Sequence, residues 1–475
     1  LMASLSLIVN SNTRYTKELE YICDVIFKTF WGLDYALNNN ENNEEKIIQI
    51  QINDVKINIA SILFNTDPSQ WLTKNSHPKA PLRIRELRDD FPGNNFLNSS
   101  VPVIYGIALE KDNGTSKKIF DIDIFGSIFF MLTRYEEIGY DDFDLDSRGR
   151  FKERHSLAYL NQFHHRAIVN EYLDILWFMV EKASGEGYAR VKRQSRIIVS
   201  HDIDFPISIS NRGMMGTLKN LVGDLYVRKS PKLFFSRINA KIKSTLGLPF
   251  NDPYSTFDYL MWCAEKYKFH CTFNFIPGHE PKSLDGIQSI DHVLDTSYFH
   301  QVFRAIHQRG HYIGFHPSYV TFCDLNQTGR EYRNLLSIIK KCGIEQQQIG
   351  GRQHFLRWRN PQTWQIWNEL GLHYDSSVGF ESTAGFRAGC CFEYPVYDLI
   401  NRKKLDLLEF PLMVMDTAVL NLSSQAFTEL HILDIYKICK HYGGIFTLLY
   451  HNNNVVSEIQ KLKYESILSL VNDGP

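Results

Sequence analysis

The sequence predicts a two-part α/β protein, with a mixed α/β unit over residues 1–192 and a βα-repeat unit over 193–475. Three observations lead there. A chain of 475 residues is long enough for two separate cores. The charged and small residues of 182–194 interrupt the pattern between the two parts. From residue 196 onward, β-branched and aromatic runs alternate with stretches of helical spacing, which is the mark of a sheet or barrel built from βα repeats.

In the first part, residues 15–31 have helical spacing, the Asn-rich stretch 38–43 reads as a loop, and 46–64 alternate like paired strands. Residues 124–137 and 168–183 read as helices. The second part opens on Ile197-Ile198-Val199-Ser200-His201-Asp202-Ile203-Asp204-Phe205-Pro206. This apolar run ends at a proline, so it predicts a buried strand over 196–204. Further strands are expected at 269–276, 311–316, 348–357, 373–378, 405–414 and 444–451. Helices are expected around 256–267, 298–308, 330–341, 361–370 and 430–441. Residues 207–252 are basic and irregular, and are expected to form an insertion or helical arm after the first strand.

Composition narrows the function classes. Hydrophobic residues make up 44% and charged residues 22%, as in a soluble globular protein. A net charge of -1 gives no support to nucleic acid or an anionic membrane as partner. The eight cysteines form no CxxC pair, which fits reduced thiols rather than a zinc knuckle or disulfide scaffold. Residues 1–9 lack a basic segment and a cleavage site, and no run approaches the ~20 apolar residues of a membrane span, so a cytoplasmic location is expected. There is no phosphate-cradling Gly-rich loop and no Gly-x-Ser-x-Gly elbow, which leaves nucleotide and serine-hydrolase readings without a starting point.

The chemistry gathers at strand ends. Alternation puts Asp202 and Asp204 on one face at the carboxyl end of their strand, where α/β folds collect binding and catalytic groups. Two carboxylates so close repel unless a metal, a cation or a shared proton stabilises them. In the run Gly310-His311-Tyr312-Ile313-Gly314-Phe315-His316-Pro317-Ser318-Tyr319, His316 follows an apolar strand and precedes a proline turn, and Arg352 and His354 follow Gly350-Gly351. His451 ends Ile445-Phe446-Thr447-Leu448-Leu449-Tyr450-His451. Any one of these is as readily a core or turn residue. Together, on successive strands, they would converge on one rim.

The order and spacing of these motifs resemble the polysaccharide deacetylase superfamily (NodB homology, carbohydrate esterase family 4-like) over roughly residues 195–455. The N-terminal third is similar to the accessory domain of a bacterial subgroup with the HPSY variant of the histidine motif. The resemblance implies a distorted (β/α) barrel of the polysaccharide deacetylase type over 193–475, with an N-terminal α/β accessory domain over 1–192. It implies Asp202 as the base, Asp204 and His316 as ligands of a divalent metal, Arg352 as the residue that orients the base, and His451 as the acid. Tyr374-Asp375-Ser376-Ser377 resembles the family's fifth-strand motif. The chain departs from the family in three places, one of them the absence of the family's usual prolines after Arg352. Ile203 separates aspartates that are usually adjacent, and Val320 stands where a second metal-binding histidine is usual. Asp204 and His316 alone are one ligand short of a catalytic site that keeps an open position. His354, two residues after Arg352 and expected on the same strand face, is the substitute; the alternative for it is a residue that supports the ligands from behind or contacts substrate. His201 is the weaker candidate, since alternation points it away.

The implied activity is hydrolysis of a carbon–nitrogen bond. With zinc, nickel or cobalt bound, the enzyme would remove an N-acetyl group from a sugar or polysaccharide precursor in bacterial surface-polysaccharide synthesis. Two alternatives stay open: a metal-dependent amidohydrolase on a non-sugar amide, and an inactive deacetylase-like domain that binds glycan. Other motifs are given plainer expectations. Asp121-Ile122-Asp123 is a turn or cap. Asp142, Asp144, Asp146 and Glu153 have calcium-loop spacing, but Ser147 stands where the loop needs glycine, which argues against calcium. Arg387 either lines the cleft or pairs with an acid, Cys390-Cys391 is a buried unbridged pair, and Asp416 is a rim acid.

Overall fold

The computed structural model describes residues 7–39, 46–88, 91–108, 118–140, 142–185, 189–207, 214–226, 230–246, 252–278, 293–420 and 425–472. The N-terminal sheet has the strand order Ala36–Asn39, Leu7–Ser11, Ile47–Ile52, Val55–Ala60, Ile119–Phe120. The alternation of 46–64 becomes the antiparallel hairpin Ile47–Ile52/Val55–Ala60, with Ile48, Ile50 and Ile52 turned into the core. The apolar residues near the start, read above only for a leader, form an inner strand of this sheet. The helix of 15–31 is an α-helix over Thr16–Cys23 and a π-helix over Asp24–Trp31, closed by Gly32 at φ 66°. Asp123 caps helix Ile124–Leu132, accepting from the Gly126 amide at 2.8 Å, so the Asp-Ile-Asp string contains a cap as expected.

The second part is built around a parallel sheet. Its order is Tyr312–Phe315, Cys271–Phe275, Arg196–Ile203, Ile445–Leu449, Val414–Met415. A smaller sheet holds Tyr374–Asp375, Lys403–Glu409 and Tyr394–Asp398. Gly351 bridges the two, pairing with Phe315 on one side and Asp375 on the other. A side chain there would bring Cβ within 1.8 Å of the Phe315 carbonyl oxygen, so the close approach requires glycine. On the far side, run 403–415 serves both sheets. Lys403–Glu409 pairs with Tyr374–Asp375, and after Pro411 the strand Val414–Met415 pairs with Ile445–Leu449. Proline has no amide hydrogen to donate, and the ladder breaks at this point. The expected barrel is therefore two joined sheets, and no closed ring of ladders forms among the described residues.

The helices lie close to their expected positions: Phe257–Lys266, Ser297–Gln308, Leu325–Lys341, Gln362–Glu369 and Gln425–Tyr442. The insertion after the first strand is a pair of helices, Met214–Tyr226 and Pro231–Thr245. The largest correction concerns 348–357. This is not a strand; only Gly351 pairs, and the chain then turns through the 3-10 segment His354–Leu356, with Phe355 and Leu356 at φ 60° and 52°. Arg352 and His354 thus share no strand face. The apolar core runs through both sheets. Tyr21 packs on Tyr397 and Phe30 on Phe392, with ring centroids 4.7 and 5.0 Å apart. Among the described residues no helix is long and apolar enough to cross a membrane.

Candidate metal centre

Strand Arg196–Ile203 sets the first face of the site. His201 points away from it, with Nδ1 2.9 Å from the Tyr450 carbonyl oxygen and Nε2 3.3 Å from the Tyr464 hydroxyl. Ser200 and Asp202 point the other way. Asp202 Oδ1 accepts from Asn274 at 2.7 Å and from the Arg352 guanidinium at 3.0 Å. Its Oδ2 faces the site, 3.9 Å from His316 Nε2. Burial works against the charge, yet Arg352 and the nearby imidazoles hold the Asp202 carboxyl below its ordinary range. Arg352 is itself fixed by bonds to the Ser376 carbonyl (2.8 Å), the Ser376 hydroxyl (3.0 Å) and the Ser200 hydroxyl (3.0 Å).

Asp204 stands just beyond the strand. Its Oδ1 is 3.2 Å from His316 Nε2 and 3.7 Å from His354 Nε2. His316 Nδ1 lies 2.6 Å from the Arg352 carbonyl oxygen. A carbonyl can only accept, so Nδ1 carries a hydrogen and the other nitrogen is aimed at Asp204. Asp204 Oδ1 and His316 Nε2 are both buried, and neither has a hydrogen-bond partner. Leaving two such atoms unsatisfied is costly unless something lies between them. The donor set fits a divalent cation. Ligands on a tetrahedral zinc at ~2.0–2.1 Å sit about 3.4 Å apart, and one ligand atom from each of Asp204, His316 and His354 falls within 4.8 Å of the others. Burial pushes His354 down to about 4, which keeps its imidazole neutral and able to ligate.

His354 arrives by a turn rather than by strand alternation. Phe355 stacks on its ring with centroids 4.3 Å apart. The N-terminal part reaches in to hold that turn: Arg150 donates to the Phe355 carbonyl at 2.6 Å, and the Arg148 guanidinium lies 4.1 Å over the Phe355 ring. Val320 does not join the site; it is exposed and precedes the short turn Thr321–Cys323.

His451 follows strand Ile445–Leu449. Its amide donates to Asp416 Oδ2 at 2.7 Å, and its Nδ1 is 2.9 Å from Asp416 Oδ1. Nε2 looks into the site, 3.7 Å from Asp204 Oδ2. Burial opposes the imidazolium, but Asp416 and Asp204 outweigh it and lift His451 to about 10. The structure thus brings Asp202, Asp204, His316, Arg352, His354 and His451 together. Sequence reasoning missed Asn274 as the second hold on Asp202, and read Asp416 only as a rim acid. Asn274 is the lone amide in the wholly buried strand Cys271–Phe275, a signal that could have been taken up. Gly314 makes room for it, because a Cβ there would come within 1.9 Å of Asn274 Oδ1.

The remaining motifs resolve into structural roles. Arg387 grips buried Glu137 through Nε at 3.0 Å and Nη2 at 2.6 Å, joining the two parts of the chain. It also lines a cavity of about 360 Å³ with Arg150, Leu356 and Glu381. Asp144 pairs with Lys74, Asp146 with Arg150, and Glu153 accepts from Ser382; the side chain of Asp142 lies outside the described residues. All eight cysteines are free, with Cys390 and Cys391 buried.

Residues 7–184 match a family of unknown function (DUF7033). No curated protein matches the sequence. Among solved structures, a protein described as a polysaccharide deacetylase from Mycobacterium smegmatis superposes with a TM-score of 0.37 at 12% identity, over 59% of this chain and 85% of its own. The PuuE allantoinase gives 0.35 at 12%, over 57% and 83%. A protein described as a polysaccharide deacetylase from Pseudomonas aeruginosa PAO1 gives 0.34 at 13%, over 57% and 84%.

Proposed function

We propose that this chain is a metal-dependent hydrolase that removes an N-acetyl group from a sugar or polysaccharide precursor in bacterial surface-polysaccharide synthesis. One observation carries the reading: the two aspartates have separate environments. Asp204 faces imidazoles across unsatisfied buried atoms, while Asp202 is held by Arg352 and Asn274. Asp204, His316 and His354 would hold the ion, zinc first, with nickel or cobalt as alternatives. A divalent ion held there supplies Lewis acidity to an amide carbonyl and acidifies a water. Asp202 keeps Oδ2 free to take a proton from the attacking water, because both donors bind its Oδ1. Arg352 keeps that carboxylate ionised and oriented. His451, charged through its contact with Asp416, gives a proton to the departing amine nitrogen, which leaves poorly unless protonated.

The reading extends to the rest of the chain. Residues 1–192 act as an accessory unit that holds the His354 turn through Arg148 and Arg150. The free thiols fit a reducing, cytoplasmic setting. The test is acetate release from 2-acetamido sugars by metal-loaded protein. Asp202→Asn is expected to keep its ion while losing about 10²–10⁴-fold in rate. A chelated, metal-free protein that releases acetate at full rate would defeat the proposal. Faster hydrolysis of a non-sugar amide would move the substrate assignment to that class.

A further inference from the structure

The whole-chain charge of -1 conceals a strongly basic segment. Residues 212–246, which include the helical arm, hold eight Lys and Arg against a single acid, Asp224. That acid is already used. Asp224 and Arg237 form a fully buried ion pair 2.7 Å apart that ties helix Met214–Tyr226 to helix Pro231–Thr245. Eight cations less one acid give the segment a net charge of +7 by sequence. Lys232 reaches Glu458 only at 3.8 Å, with both side chains well exposed.

The same arm exposes large apolar side chains in register. On Met214–Tyr226 they are Leu218, Val222 and Leu225, spaced i, i+4, i+7 and 56%, 49% and 40% exposed. On the second helix they are Phe235, Ile242 and Leu246, spaced i, i+7, i+11 and 66%, 54% and 66% exposed. Leu246 continues the helical turn through its amide bond to the Ile242 carbonyl at 3.0 Å. Leu233, Arg237 and Ala240 are buried on the opposite side of that helix. Apolar stripes of this size on a solvent-facing hairpin mark an interaction surface. Lys232 and Lys243 flank the Phe235–Ile242–Leu246 stripe at helical spacing, placed so that their stems can lie along apolar surface while the ammonium groups reach outward.

We infer that this arm docks the protein on a bilayer of anionic phospholipid. The occupant follows from the combination of features. An apolar stripe edged by lysines matches an interface where acyl chains lie under a plane of phosphates. A second copy would set like charges against each other. Nucleic acid would take the cations but leave the stripes in water. The position also has a consequence. The arm's first helix starts ten residues after Asp204, and Arg237 lies 4.9 Å over the Tyr254 ring. Asn452, next to His451, donates to the Tyr254 carbonyl at 3.1 Å and to the Phe205 carbonyl at 2.9 Å. Docking would bring the metal centre to the headgroup plane. Docking itself does not depend on the hydrolase reading.

The test is co-sedimentation of the full chain with vesicles of phosphatidylglycerol and phosphatidylcholine, against vesicles of phosphatidylcholine alone. Binding at least ~10-fold tighter to the anionic vesicles is expected, weakening as salt rises from about 0.1 to 0.5 M. The combined Phe235→Ser, Ile242→Ser and Leu246→Ser variant should lose ~10-fold or more, with its circular dichroism and cobalt binding unchanged. Lys241→Glu with Lys243→Glu should lose binding by a similar factor without touching the stripe. Absence of sedimentation with either vesicle overturns the proposal, as does equal binding to both. A dimer seen by light scattering and abolished by the serine variant also overturns it, since a second copy would then cover the stripe.

Discussion

The ring of His316 and the main chain of Arg352 are joined by a 2.6 Å hydrogen bond from Nδ1 to the carbonyl oxygen. One residue therefore serves both halves of the site. The Arg352 side chain holds Asp202, and its carbonyl sets which nitrogen of His316 faces Asp204. A buried imidazole whose far nitrogen is tied in this way keeps its orientation whether or not an ion is bound.

His354 has no such tie, since its Nδ1 is buried without a partner, and its turn depends on the N-terminal part. Arg150→Ala should weaken zinc or cobalt binding by about 10–100-fold, as loss of an outer-shell partner does. His354→Ala should weaken it further. Competition titration against a chelating dye reads both. Unchanged affinity in His354→Ala would remove it from the ligand set.

A proton donor works only while protonated, so activity that depends on His451 is present below its pKa and lost as pH rises through it. Asp416 and Asp204 together lift that pKa to about 10 against burial. Asp416→Asn takes away the largest of the charges that raise it, and the alkaline limb of kcat/KM should move down by about 1–3 pH units. A limb that stays in place would mean that another group donates the proton.

Asp375 and Glu409 are in-register partners on neighbouring strands, and both are fully buried. Burial pushes Asp375 up to about 7. For an acid the sign is this: when the folded pKa exceeds the unfolded one, the folded state binds more protons in between, and stability falls as pH rises. The window runs from about 4, the free value, to about 7. Urea melts across it should show a loss on the order of 2–4 kcal/mol. Asp375→Asn mimics the protonated form and should flatten the slope; an unchanged slope would assign the proton elsewhere.

Arg387 and Glu137 form a buried ion pair between residues 250 apart in sequence. Arg387→Ala leaves Glu137 with Arg134 as its one charge partner among the described residues, and truncating one side of such a pair costs about 3–5 kcal/mol. Chemical denaturation should show one lowered, cooperative transition. Two separate transitions would mean that the two parts unfold independently.

Strand ends were legible where one strand contained the whole signal. The β-branched run before Asp202 put His201 and Asp202 on opposite faces, and the structure agrees because side chains alternate with a period of two. Reading 348–357 as a strand failed for the opposite reason. Its apolar and small residues suit a strand, yet only Gly351 finds partners, between Phe315 and Asp375. Beyond it the left-handed Phe355 and Leu356 turn the chain, with Arg150 bonded to the Phe355 carbonyl.

The sequence by itself determined the α/β class of the chain, most of the strand and helix alternation after residue 196 (348–357 and Tyr394–Asp398 excepted), and the six side chains that meet at one rim. Periodicity and chain order are local properties, and they survive without knowledge of the partners. Tertiary structure alone decided the rest: that His354 comes by a turn, that Asp416 charges His451, that Asn274 shares Asp202 with Arg352, and that two arginines from the N-terminal part hold the His354 turn. Each of these joins residues far apart in the chain or not related by strand alternation. Their distances are set by how the sheets pack, and no local pattern encodes that.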